Sequence, residues 1–316
     1  MSTSVFTAGT AKTPIAVPVA TPVPTPVKTR KPRFSKIRSN KNFFVSAMNA
    51  NLLTAAKIIA EERGVSVVYV TGPSGWGKTR LGYEFARQIG YNVEYVAAPS
   101  VMEGEEWFGV RHVENDETIF RHTEFAKALQ RGKTVIIIDE LSRVAPFVLN
   151  PLLSLMHDDG EIIYHNELFR PAKGTIFYIT ANVGNEYTGT YELDVALESR
   201  LTVQLKVDKM PVKTEIKIVK NQVGTTEEIA TAATSLIRFA RKNNLSARDV
   251  SPRATIKMAT LMATGIDWKY VINQFAGSIE DLGDRKQFID FTKSDNFAKY
   301  VNLFADDEDE EEEDEE

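Results

Sequence analysis

Apolar positions along this chain fall into two regimes. Between residues 67 and 206, short continuous runs of β-branched and aromatic residues alternate with stretches of helical spacing. The runs are Val67–Thr71, Val93–Ala97, Thr134–Ile138, Thr175–Thr180 and, more weakly, Thr202–Lys206. Continuous apolarity predicts strands buried on both faces. Between the first two, Thr79–Ile89 carries Leu81, Phe85, Ala86 and Ile89 at helical spacing. Strands separated by helical patterns predict βαβ units, hence a parallel sheet with helices on both faces. Ahead of them, Phe43, Phe44, Ala47, Leu52, Leu53, Ala56 and Ile59 predict one or two helices leading into the first strand. From Pro211 the strand signal stops. Ile229–Arg241, Pro252–Ala263 and Trp268–Phe275 read as helices, and residues 281–304 as weakly helical. The folded part thus divides into an α/β domain, 41–210, and a small helical domain, 211–304. No internal repeat is visible.

Charge sets the two ends apart. Residues 1–40 carry prolines at 14, 18, 22, 24, 26 and 32, followed by Lys28, Arg30, Lys31, Arg33, Lys36 and Arg38, and the first 60 residues contain no acid. Such an arm cannot bury enough apolar surface to offset its ordering entropy, so it reads as disordered and partly polyproline II. It is either a solvated tether or an electrostatic arm for nucleic acid or an acidic partner. The chain ends in eleven consecutive acids, Asp306–Glu316, and the net charge of −5 becomes +6 without them. Residues 305–316 read as a disordered acidic tail, either solubilising or competing with nucleic acid for the protein's own basic surface.

Of the 316 residues, 43% are apolar, enough for a core, and none is cysteine. Disulfides, thiolate metal sites and cysteine nucleophiles are excluded, and a reducing cytosol is compatible. No apolar run approaches the ~20 residues of a membrane helix, and no secretory signal pattern opens the chain. Cytoplasmic localisation and no membrane partner are therefore expected. The histidines at 112, 122, 157 and 165 show no metal spacing such as H-E-x-x-H.

The chemistry gathers around Gly72-Pro73-Ser74-Gly75-Trp76-Gly77-Lys78-Thr79, which fits G-x-x-x-x-G-K-[ST], the phosphate-binding P-loop. A predicted strand precedes it and a predicted helix follows. Glycines let backbone N–H groups turn inward, and the helix N-terminus favours phosphate. Lys78 is expected to reach the β- and γ-phosphates, and the Thr79 hydroxyl to bind Mg²⁺. Ile136-Ile137-Ile138-Asp139-Glu140 is an apolar strand ending in two acids, a Walker B pattern. Asp139 is expected to hold Mg²⁺ through water and Glu140 to polarise the attacking water. Asn182, ending Ile179-Thr180-Ala181-Asn182, falls at the neighbouring strand end as a water-positioning group. Arg200 and Arg253 follow in order.

With these residues the sequence resembles an AAA+ ATPase, most similar to the MoxR-like and CbbQ/NorQ/CobS group related to midasin and dynein modules. The resemblance spans roughly residues 42–265. Asp139-Glu140-Leu141-Ser142-Arg143 resembles that group's D-E-I-N-R, with Leu and Ser in place of Ile and Asn. Thr180-Ala181-Asn182 matches sensor 1, and Ser251-Pro252-Arg253-Ala254-Thr255 matches sensor 2. Gly189-Thr190-Tyr191 through Leu193-Asp194 and Ala196-Leu197-Glu198-Ser199-Arg200 looks like the stretch ending in the arginine finger, here followed by Leu201 rather than Phe. Trp107–Arg111 through Phe125–Leu129 resembles that group's insert hairpin and following helix, and Glu161–His165 its second hairpin; such hairpins face a central pore or the substrate in that group. Pro151, inside the helix expected over Ala145–His157, is expected to delay its start or kink it.

The resemblance implies a parallel sheet ordered 5-1-4-3-2 with a helical lid, ATP and Mg²⁺ as ligands, and a ring, most often hexameric, whose sites are completed between subunits. Arg200 is then the finger in trans, with Arg143 as competitor. The expected activity is ATP hydrolysis that remodels a protein client or works with an adaptor. The alternative is an AAA+ machine on nucleic acid, such as a helicase loader, initiator or transposition regulator, which the basic arm favours. The tails leave a viral or mobile-element origin open, with the host cytoplasm as the compartment in that case.

Overall fold

In chain order, α1 (Ala47–Arg63) leads into β1 (Val65–Thr71), the P-loop stretch, α2 (Lys78–Ile89) and β2 (Asn92–Ala97). A hairpin of β3 (Gly109–Glu114) and β4 (Glu117–His122) precedes α3 (Glu124–Arg131) and β5 (Thr134–Asp139). Then come α4 (Pro146–Leu155), a second hairpin of β6 (Ile162–Tyr164) and β7 (Glu167–Phe169), and β8 (Thr175–Ala181). The short α5 (Val195–Glu198) and β9 (Val203–Lys206) complete the strands. Helices α6 (Val212–Val223), α7 (Glu227–Lys242), α8 (Pro252–Met262), α9 (Trp268–Gly277) and α10 (Leu282–Thr292) follow. The computed structural model describes residues 37–182, 195–294 and 297. Most of the basic arm, the stretch 183–194 ahead of α5, and the acidic tail lie outside the described residues.

Five strands form one sheet in the order β2-β5-β8-β1-β9, every pair parallel. Numbered within the sheet and read from the β9 edge, this is 5-1-4-3-2. The continuous apolar runs feed both faces by simple alternation. Val67, Ile136, Ile138, Phe177 and Ile179 face one cluster, together with residues of α3 and α4. Val68, Val70, Val135, Ile137, Ile176 and Tyr178 face the other, against α1 and α2. Each fully buried side chain of this kind contributes roughly 1.5–3 kcal/mol, so the two faces hold the sheet jointly. Helices α6–α10 share a third apolar cluster of their own around Leu236, Ile237, Met258 and Phe288.

Alternation also aims the polar residues. Asp139 continues the odd-numbered face of β5, and Thr180 the even-numbered face of β8, so both point toward α2. The close approach of α2 is set at Gly82, where a Cβ would lie 2.8 Å from the Tyr178 ring and 3.0 Å from Ile137.

Two expectations shift. Ile37 is buried at 4% exposure, and Arg38 exchanges two backbone hydrogen bonds with the Gln88 side chain on α2. The packed chain therefore includes 37–40, read above as arm, because one apolar residue and one backbone pairing suffice to pin them. Helix α4 does not start late: it begins at Pro146, runs through Pro151 and stops at Leu155, two residues short of His157. The Pro151 ring is used in packing, against Gly104 of a short 3-10 turn (Gly104–Trp107), where a Cβ would come within 3.0 Å. In the same place the buried Trp107 indole donates to the Val148 carbonyl at 2.9 Å.

Candidate active site

The loop from Thr71 to Lys78 needs its glycines. Gly72, Gly75 and Gly77 have φ of 150°, 76° and 82°. A Cβ on Gly72 would meet the Val207 carbonyl oxygen at 2.1 Å, and one on Gly75 the Ser251 hydroxyl at 2.2 Å. At Gly77 it would meet nothing within 4 Å, so the backbone there borders open space. Gly77 caps α2 without a side-chain hydrogen bond. The first N–H groups of the helix are thus left for an anion, with the positive end of the helix dipole behind them. The buried Tyr178 phenol donates to the Lys78 carbonyl at 2.9 Å and ties this first turn to the sheet.

Lys78 is 8% exposed. Its ammonium donates to the carbonyls of Gly72 at 2.8 Å and Pro73 at 2.9 Å, and to Asn182 Oδ1 at 2.6 Å. Burial pushes its pKa down to about 8, against the pull of Asp139 and Glu140, and Arg253 adds to the depression.

Across from Lys78, Asp139 Oδ1 accepts from the Thr79 hydroxyl at 2.8 Å and from the Thr180 hydroxyl. Thr180 Oγ1 also accepts the Glu140 N–H at 3.1 Å. Glu140 stands at φ 58°, a left-handed conformation that a non-glycine residue rarely adopts. Thr180 holds the backbone there, and Glu140's carboxylate accepts from Asn182 Nδ2 at 3.4 Å. Asn182 therefore bridges the P-loop cation and the second acid. Thr180 was not singled out in the sequence as a site residue. Its signal was available: it lies two residues before Asn182, on the face that Asp139 shares.

These residues border one cavity of about 620 Å³, lined by Ser74–Arg80, Asp139, Glu140, Thr180, Asn182 and, from the helical part, Pro252, Arg253 and Ile256. Tyr83, Asn42, Phe43, Phe44, Met210, Ile218 and Gln222 form the remaining wall. Arg253 is exposed toward this space. Trp76, at the loop apex, lies under the Arg241 guanidinium of α7, 4.8 Å from ring centroid to Cζ. Arg241 in turn meets Glu215, which is 1% exposed and also bonded by Arg238 and Thr255. None of Arg241, Arg238 or Glu215 carries a motif.

Gly72 and Pro73 do not line this cavity but hold Lys78 at its edge through their carbonyls, and Arg200 takes no part in it. Its Nε donates to the Leu153 carbonyl at 2.8 Å, and a terminal nitrogen to the Ala196 carbonyl. Arg143 lies nearer, its Nε 3.4 Å from Glu140 Oε2. The motif stretch from Gly189 to Asp194 is outside the described residues.

The donor set fits a nucleoside triphosphate with a hard divalent cation. Uncapped helix N–H groups and a buried ammonium suit phosphate oxygens. A hydroxyl and a carboxylate already in contact, Thr79 and Asp139, suit Mg²⁺, which prefers few protein oxygens and several waters. Thr79 and Asp139, the pair expected from the sequence to hold Mg²⁺, are thus side by side.

A parallel sheet of this order, with a P-loop after its first strand, defines a P-loop nucleotide-binding protein. Comparison narrows the class. Residues 67–201 match the AAA domain (dynein-related subfamily). BssE of Thauera aromatica, a protein named as a chaperone, is 28% identical over 71% of this chain and 78% of its own length. Midasin of Giardia intestinalis is 24% identical over 52% of this chain, a match that occupies 3% of midasin. In fold, a RuvB mutant of Thermotoga maritima aligns with a TM-score of 0.50 at 17% identity, covering 80% of this chain and 72% of that one. Residues 67–201 are thus similar to AAA domains of the dynein-related subfamily, and the relatives include a protein named as a chaperone. Among the described residues, no helix is long and apolar enough to cross a membrane.

Proposed function

We propose that this chain is a MoxR-like Mg-ATP hydrolase that assembles into a ring, most often a hexamer, and uses turnover to remodel protein partners in a reducing cytosol. The observation that carries the ATPase reading is the chain Lys78 Nζ–Asn182 Oδ1, 2.6 Å, and Asn182 Nδ2–Glu140 Oε1, 3.4 Å. It links the phosphate-binding cation to the candidate base through one side chain, inside one cavity. Lys78 and the N–H groups of α2 neutralise the phosphates. Glu140 takes a proton from the attacking water, which Asn182 orients. Mg²⁺, held by Thr79 and Asp139, supplies charge neutralisation on the phosphate oxygens when bound. Arg253, from the helical part, brings a second cation to the same space, so that nucleotide occupancy bears on the helical part as well as the sheet.

The remodelling reading draws on the chaperone-named relative and on two hairpins that expose apolar side chains, Val113 at 77% and Ile163 at 71%. A nucleic-acid machine is the second reading, favoured by the six basic residues between 28 and 38.

Glu140→Gln tests the proposal. The amide keeps the shape and cannot act as base, so the variant should bind ATP and hydrolyse little. Normal turnover would move the base elsewhere. Used as a trap in a pull-down, the same variant should retain a protein client. Turnover of the parent that is stimulated by DNA instead would favour the second reading.

A further inference from the structure

Asp139 receives three side-chain hydrogen bonds, and two come from residues that the P-loop and the central strands bring to it. The third comes from the sheet edge. Tyr95, on β2, donates its phenol to Asp139 Oδ2 at 3.2 Å. Parallel pairing sets Tyr95 opposite Ile137 and Ala97 opposite Asp139. Tyr95 is therefore the diagonal neighbour of Asp139 on the α2 face, a separation that a long aromatic side chain spans. Tyr83, one helical turn after Thr79 on α2, stacks on the Tyr95 ring at 6.3 Å between centroids and 20° between planes. Tyr83 itself lines the cavity.

Thr79 and Thr180 both bond Oδ1. Two donors on one oxygen hold that atom but leave the carboxylate able to swing about it. A donor on the other oxygen fixes the plane. An exposed edge-strand aromatic needs no hydroxyl, and Tyr95 is 43% exposed.

We propose that Tyr95 is a positioning residue for Asp139, fixing through its hydroxyl the carboxylate orientation that receives the divalent cation. This rests on the reading of Thr79 and Asp139 as the metal pair. Outer partners of this kind typically change metal affinity by ~10–100-fold, and an exposed donor belongs at the lower end.

The test compares Tyr95→Phe, which keeps the stack and removes the hydroxyl, with Tyr95→Ala, which removes both. Mn²⁺ binding is titrated by electron paramagnetic resonance on the full chain with a non-hydrolysable ATP analogue. Affinity for the analogue in chelator is measured beside it. Tyr95→Phe should weaken Mn²⁺ binding about tenfold and raise the Mg²⁺ concentration for half-maximal turnover similarly. Its metal-free analogue affinity should stay at the parent's value. A Tyr95→Phe protein that binds Mn²⁺ like the parent, with or without a defect in Tyr95→Ala, would overturn the proposal, since only the ring would then matter. If the parent binds the analogue but gains no Mn²⁺ site, the metal pair itself is misassigned, which is a separate and distinguishable failure.

Discussion

Lys78 is a cation held where burial opposes its charge, and this has a pH signature. Its ammonium, depressed to about 8, loses its proton well below the 10.5 usual for lysine. Triphosphate favours the ammonium, so binding above about pH 8 must take up a proton. ATP affinity should be nearly flat below that point and fall above it, by up to about tenfold per pH unit. Calorimetry in buffers of different ionisation enthalpy reads both the affinity and the proton uptake. Binding that is level from about pH 7 to about pH 10, with no proton uptake, would show that Lys78 is not the group that senses phosphate. The same depression opposes folding wherever the unfolded chain holds the proton more tightly. That cost is present at neutral pH and fades as pH rises from about 8 toward 10.5. At this scale most of the candidate site was legible, because Gly72–Thr79, Asp139-Glu140 and Asn182 are each contiguous or at strand ends. Thr180 was signalled only by its place two residues before Asn182, and Tyr95 not at all, because its role depends on which strand lies beside its own.

Helices α6, α7 and α8 are pinned by one carboxylate. Glu215 accepts from Arg238 at 2.7 Å, from Arg241 at 3.1 and 3.2 Å, and from the Thr255 hydroxyl at 3.0 Å. Removing one partner of a buried pair leaves the other charge uncompensated, at a typical cost of 3–5 kcal/mol. Both arginines keep some solvent here, so Glu215→Gln should destabilise by about 3 kcal/mol, read by denaturant unfolding. Because Arg241 also covers Trp76, that variant should shift the Trp76 environment at the P-loop. Trp76→Phe in the Glu215→Gln background would assign the fluorescence change. A Glu215→Gln protein with parental stability would mean that the three helices are held by their apolar cluster alone. The strands were readable in the sequence because burial on both faces makes them continuous in apolarity. The helical packing was only partly so. Trp76, Glu215 and Arg241 are far apart in sequence, each unremarkable in its own helix or loop, and their meeting is decided by how the helical part seats on the sheet. The hairpins were recognisable through resemblance rather than pattern. Their strands are short, and β3 is exposed along nearly its whole length.

Arg200 poses its question at the scale of the assembled molecule. Within one chain it is anchored to the Leu153 and Ala196 carbonyls and takes no part in the cavity that holds Lys78, Glu140 and Asn182. In the ring proposed above, its partner is the γ-phosphate of the neighbouring subunit. A guanidinium supplied in trans in related phosphoryl-transfer systems is worth ~10³–10⁵ in rate. Arg200→Ala should therefore bind ATP nearly as the parent does and turn over at least about a thousandfold more slowly. Loss of rate alone does not separate a trans role from a structural one, since the same side chain ties α5 to α4. Mixing does. Arg200→Ala subunits keep an intact Lys78 site, and Lys78→Ala subunits keep an intact Arg200. Each is inactive alone. In randomly mixed rings of equal parts, about a quarter of interfaces join an intact Lys78 site to an intact Arg200, and activity should return in that proportion. Mixed rings must be verified by co-purification of two tags. If they form and no activity returns, Arg200 is not the trans arginine. Arg143, 3.4 Å from Glu140, then becomes the residue to put through the same cycle.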